Sequence, residues 1–95
     1  MFFRRRKNKD VVRYPCPCCG YLTFTEEPGD TFYICPVCFW EDDGMQADDP
    51  DLESGVNRVS LNQAKMNFAQ FGACEHGVEK YTRKPKPCEI PSGRQ

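Results

Sequence analysis

Between residues 21 and 34 the chain alternates: YLTFT and TFYI place aromatic or aliphatic side chains two apart, with threonines between them. That period of two suits strands with one buried face. Between the runs lies EEPGD, where Pro28 presets φ and Gly29 is free to take a positive one, the chemistry of a turn. The pattern predicts a β-hairpin. After residue 59 the period changes. In SLNQAKMNFAQFG, Leu61, Ala64, Phe68 and Phe71 fall on one face at helical spacing. Ser60 followed by Gln63 forms a capping box, and Val59 with Ala64 forms the accompanying staple. Gly72 stands where a left-handed C-terminal cap belongs. A helix is expected over 60–72.

The intervening EDDGMQADDPDLESGVNR has no periodicity and reads as a loop. Residues 1–13 read as a solvated basic arm, and 79–95, with three prolines and many charges, as a tail. A domain over 14–78 lies between them. The expected fold is therefore a small α+β domain: a zinc-ribbon β-hairpin, 14–40, followed by an acidic loop and one packing helix.

Composition sharpens this picture. Ninety-five residues make one domain at most, 39% of them hydrophobic and 28% charged, so the core is modest. No apolar run approaches the ~20 residues that span a bilayer, and MFFRRRKNKD lacks the apolar stretch of a signal peptide. A cytoplasmic location is expected. The net charge of −1 conceals blocks. Arg4, Arg5, Arg6, Lys7, Lys9 and Arg13 face only Asp10, whereas Glu41, Asp42, Asp43, Asp48, Asp49, Asp51 and Glu53 crowd the middle.

Seven cysteines matter most. An odd number argues against a closed disulfide framework and, in a reducing compartment, points to metal or thiol chemistry. Cys16 and Cys19 form one Cys-x-x-Cys pair, Cys35 and Cys38 another, with fifteen residues between them. That is zinc-ribbon spacing: each tight turn supplies two thiolates, and an antiparallel turn-back brings the pairs together around a tetrahedral Zn²⁺. Iron suits the same four thiolates. Pro17 and Pro36 preset each turn, and Gly20 can take positive φ after the first pair. The second pair has Phe39 there, which must accept an uncomfortable backbone angle or turn differently. Four thiolates leave no open position for substrate, so the site is expected to be structural.

Cys18 is left over. It reads as a partly buried thiol inside the turn, with a reactive thiol or a second-metal ligand as the sharper alternatives. Cys18, Cys74, His76 and Cys88 would supply that second site, although their spacing is not diagnostic. Trp40 is expected to join the helix face of Phe68 and Phe71 to the hairpin rather than bind a ligand. Asp49, Asp51 and Glu53 alternate as in a calcium loop, but Ser54 stands where such a loop needs Gly and Ser60 where it needs Glu.

CPCCGY, CPVCFWEDDG, DDPDLESGVN and SLNQAKMNF, in that order, resemble the cysteine-rich CPCC family of small, mostly bacterial proteins. The likeness covers residues 14 to about 75. It implies a zinc-ribbon-like fold and no established enzymatic activity. Members are expected near polymorphic-toxin loci, which implies an immunity role.

No residue set resembles a nucleophile–base pair, so no catalysis is expected. The leading expectation is a zinc-stabilised protein-binding module in which Glu41, Asp42, Asp43, Asp48, Asp49 and Asp51 meet a basic partner surface, such as that of a toxin. Two alternatives stand beside it. One is nucleic-acid binding through the basic arm, which the acidic domain behind it disfavours. The other is a thiol-redox or metal-handling role for Cys18.

Overall fold

A computed structural model describes residues 12–91 of the chain. The basic arm falls almost entirely outside these residues. The described residues hold two α-helices, α1 over Gly44–Asp48 and α2 over Leu61–Phe71, with short 3-10 turns at Glu79–Tyr81 and Pro87–Glu89.

The expected hairpin does not form: among the described residues there are two isolated antiparallel bridges, Tyr14 with Phe24 and Ile34 with Glu41. YLTFT and TFYI meet through side chains instead, the Phe24 and Tyr33 rings packing edge to face at 5.0 Å. The cause lies in residues 29–32. The Gly29 N–H, the Thr31 N–H and the Thr31 hydroxyl all donate to Asp42 Oδ2, at 2.7, 3.0 and 2.9 Å. Phe32 then takes a left-handed φ of 58°, which ends any extended run. The turn is thus folded over a distant carboxylate rather than closed on itself.

Each bridge instead encloses one cysteine pair. Tyr14 and Phe24 exchange backbone bonds of 2.8 and 3.2 Å around Cys16–Cys19. Around Cys35–Cys38, Cys35 N–H reaches Trp40 O at 2.9 Å and Asp42 N–H reaches Tyr33 O at 3.0 Å. Two short loops, each closed at its own base, replace one hairpin carrying a pair at each end.

Helix α2 follows its sequence signals. Ser60 accepts from the Gln63 N–H at 3.0 Å and Gly72 ends the helix with φ of 82°. Only half of the capping box forms, because the Gln63 carboxamide donates to Asn67 instead. Leu61 and Ala64 are buried beside Phe24, Val37, Trp40 and the cysteines, with Phe68 packed against this core. Phe71 lies outside it and stacks on His76.

The acidic stretch is more ordered than its lack of periodicity suggests. Asp43 caps α1 through the Met45 N–H and also accepts from Val56 N–H. Gln46 is wholly buried: its Nε2 donates to the carbonyls of Leu52 and Val59, and its Oε1 accepts from the backbone and side chain of Asn57. Asn57 in turn clasps the backbone of Glu41, accepting at Oδ1 and donating from Nδ2. Gly55 sits so close to Asp43 and Gln46 that no Cβ fits there. The segment is tied crosswise by polar groups that no hydrophobic pattern announces.

Part of the segment read as a tail also lies against the domain. Arg83 holds Glu89 through two bonds of 2.9 Å, and Leu22 N–H donates to Glu89 O at 2.7 Å. Tyr81 stacks on Phe39 at 5.1 Å.

Candidate metal centre

The two enclosed turns share one backbone plan. In each, the first cysteine donates its N–H to the carbonyl five residues on, Tyr21 or Trp40, both at 2.9 Å. Its own carbonyl accepts from the residue four on, Gly20 at 2.9 Å or Phe39 at 2.8 Å. Its sulfur accepts an N–H at 3.4 Å from the residue two on, Cys18 or Val37. Both turns close with a positive φ, 81° at Gly20 and 72° at Phe39. The missing glycine of the second pair therefore does leave Phe39 in the strained conformation.

The plan brings the expected four sulfurs together. Cys16, Cys19, Cys35 and Cys38 offer Sγ atoms that all lie within 4.8 Å of one another. The Cys16–Cys38 and Cys19–Cys35 sulfurs are 3.7 Å apart. A tetrahedral ion with bonds of about 2.3 Å to sulfur sets its ligands about 3.8 Å apart, so the cluster has the size of such a shell. All described cysteines are free thiols, and three of these four are buried. The donor set fits a thiophilic metal ion.

Charge tells the same story. Thiol contacts from Cys16 first, then Cys19 and Cys38, hold Cys35 far below the ordinary thiol range, and the Thr23 hydroxyl, 3.1 Å from its sulfur, adds to this. Cys16 is pushed far up, chiefly by Cys19 and Cys35, and Cys38 chiefly by Cys16. Four thiolates packed this closely repel one another. A cation at their centre is what lets all four ionise. Thr23 went unnoticed in the sequence, where a threonine in an alternating run signals only a strand.

Cys18 has a plain answer. It occupies in the first turn the place Val37 fills in the second, buried in the core beside the cluster. Cys74, also buried, donates its N–H to Cys38 O at 2.9 Å, and burial pushes its thiol up to about 12. His76 and Cys88 are exposed, His76 pairing with Glu79 at 2.9 Å. Cys18, Cys74, His76 and Cys88 do not converge. Among the described residues the four-sulfur cluster is the one group of metal-ligating side chains that does.

The anionic block divides in two, which corrects the expected contact surface. Asp42 and Asp43 are buried and committed to backbone donors of the fold, so they are not presented to a partner. Glu41 is half-buried, whereas Asp48, Asp49, Asp51 and Glu53 are exposed. No described helix is long and apolar enough to cross a membrane.

Among curated proteins none matches the chain. The family model for cysteine-rich CPCC proteins matches residues 14–89, from the tyrosine that closes the first turn to the glutamate that Arg83 holds. The match runs past the shorter likeness visible in the motifs and takes in the segment docked on Leu22. The chain belongs to the cysteine-rich CPCC family.

Proposed function

We propose that the protein is a zinc-stabilised, non-catalytic protein-binding module of the cytoplasm, with Cys16, Cys19, Cys35 and Cys38 as the ligands. One observation carries the metal reading: four sulfurs lie within 4.8 Å of each other at the closed ends of two matching turns. Zn²⁺ suits this set because it prefers tetrahedral thiolates, needs no redox partner and serves structural sites of this kind. All four positions are taken by protein, so the ion is a staple and not a Lewis acid for substrate.

The partner reading rests on the exposed carboxylates Asp48, Asp49, Asp51 and Glu53, in a segment tied to the fold through Gln46 and by an Asn62 bond to Asp51. Anions fixed in place meet a basic surface at a lower entropic cost than anions on a loose chain. An immunity protein that shields the cationic cleft of a toxin is the concrete form of this reading.

Elemental analysis of protein purified under reducing conditions tests the metal. One equivalent of zinc is expected, and Co²⁺ in its place should give the intense visible bands of a tetrahedral thiolate complex. Protein that folds fully with no bound metal would refute the reading.

A further inference from the structure

Phe32 is held in an unusual state. Its φ of 58° is left-handed, which a bulky aromatic residue rarely adopts. Yet the residue is 53% exposed and does not join the core. The strain is enforced from both sides: Thr31 is fixed to Asp42 by two bonds and the Phe32 N–H donates to Asp42 O at 2.8 Å, while beyond it Tyr33 O accepts the Asp42 N–H at 3.0 Å. The fold thus strains its backbone and presents an apolar ring to water. Strained backbone that the surroundings over-determine clusters at ligand-contacting positions.

Met45, 62% exposed, lines the same groove as Phe32. The groove is about 420 Å³ and open to solvent, with Gly29, Asp30, Gly44 and Asp48 among its walls. Its charged residues are all acidic. Asp43 is satisfied within the fold and Asp30 accepts from Gly44 N–H at 3.2 Å, while Asp48 is exposed. A ring and a thioether beside carboxylates, with no cation among the described lining residues, complement a cation carried on an apolar stem, since a lysine or arginine side chain offers both. Phosphates and anionic lipids are repelled by the same carboxylates.

We propose that the Phe32–Met45 groove is the contact site for a partner protein, receiving a segment in which a lysine or arginine adjoins an apolar residue. The inference rests on the protein-binding reading above and deepens it: it moves the specific contact from the acidic loop to this groove.

The zinc-loaded full chain, labelled for NMR, is titrated with three blocked hexapeptides that alternate leucine with arginine, serine with arginine, and leucine with glutamate. The leucine–arginine peptide should shift the amides of Gly29, Asp30, Phe32, Gly44, Met45 and Asp48, and bind at least tenfold more tightly than the other two. Phe32→Asn is the decisive variant, because asparagine tolerates a left-handed φ while removing the ring. It should weaken that peptide at least tenfold and leave thermal stability unchanged or raised. Loss of stability would make Phe32 a packing residue and overturn the inference. Equal binding of both arginine peptides along residues 49–53 would overturn the groove and leave the acidic-surface reading standing. Binding by neither would overturn both. A doubled solution mass that Phe32→Asn returns to monomer would show a second copy as the occupant and refute the partner assigned here.

Discussion

Gly20 and Phe39 occupy the same place in two matching turns, each giving its N–H to the carbonyl of the turn's first cysteine while holding φ of 81° and 72°. The glycine does this without steric cost, and the phenylalanine does not. Ring stacking on Tyr81 is what Phe39 gains. Truncating the ring while varying only the backbone separates the two effects. In an ordinary loop glycine is less stable than alanine, because it loses more entropy on folding. Here the order should invert: Phe39→Gly is expected to be more stable than Phe39→Ala by about 1 kcal/mol. Urea unfolding of the zinc-loaded variants measures the difference, and the ordinary order would mean that the backbone at Phe39 is not strained.

Cys18 and Cys35 should respond oppositely to the same substitution. Cys35 is the hydrogen-bond focus of the four-sulfur cluster, its sulfur accepting the Val37 N–H and lying 3.1 Å from the Thr23 hydroxyl. Cys35→Ser is expected to lose the metal and cooperative unfolding with it, since a structural zinc contributes on the order of 10 kcal/mol. Cys18→Ser alters a buried thiol outside the four-sulfur set, so stoichiometric metal should remain at a cost of about 1 kcal/mol. Atomic absorption and circular dichroism of both variants decide the matter.

The convergence of the four cysteines and α2 were legible because their signals are local. Spacing alone places two sulfurs on one turn, and Ser60, the apolar face and Gly72 mark one helix in agreement with each other. Even the strain at Phe39 follows from comparing two short motifs. The hairpin misled because its outcome hangs on Asp42, thirteen residues beyond Gly29, which takes the donors that a turn would otherwise keep. Charge counting misled in the same way. A carboxylate in an acidic run looks solvated, and only the fold reveals that Asp42 and Asp43 face inward while Asp48 and Asp49 face out. Gln46 gave no signal, since a glutamine becomes core only when carbonyls from two later residues converge on it.

Docking of the C-terminal segment should be sensitive to acid. Arg83, bonded to both oxygens of Glu89, holds that carboxyl below the usual carboxylate range. Its stabilising contribution is therefore complete above the unfolded value of about 4.3 and is lost as pH falls through the depressed folded value. Between pH 7 and 5 nothing should change at this pair. The Leu22 amide, bonded to Glu89 O, reports the docking directly. In Glu89→Gln, hydrogen exchange at Leu22 should rise about tenfold at pH 7, equivalent to about 1.4 kcal/mol, with Arg83 partly solvated and the pair discounted accordingly. Unchanged exchange would mean that the backbone bond alone secures the segment.

Asp42 should behave as a framework residue rather than a contact. One of its oxygens takes three donors from residues 29 and 31, and the other is buried without a partner among the described residues. Removing the group orphans three donors and frees the turn that strains Phe32, so Asp42→Ala is expected to cost about 3 kcal/mol. Asparagine keeps an acceptor of the same shape and removes a buried charge, so Asp42→Asn should cost less than half as much. Asp49→Ala, at an exposed position, should stay within about 0.5 kcal/mol. Denaturant midpoints of the three zinc-loaded variants give the ranking. If alanine proves as harmless at 42 as at 49, the carboxylate does not organise this fold, and the strain at Phe32 must have another source.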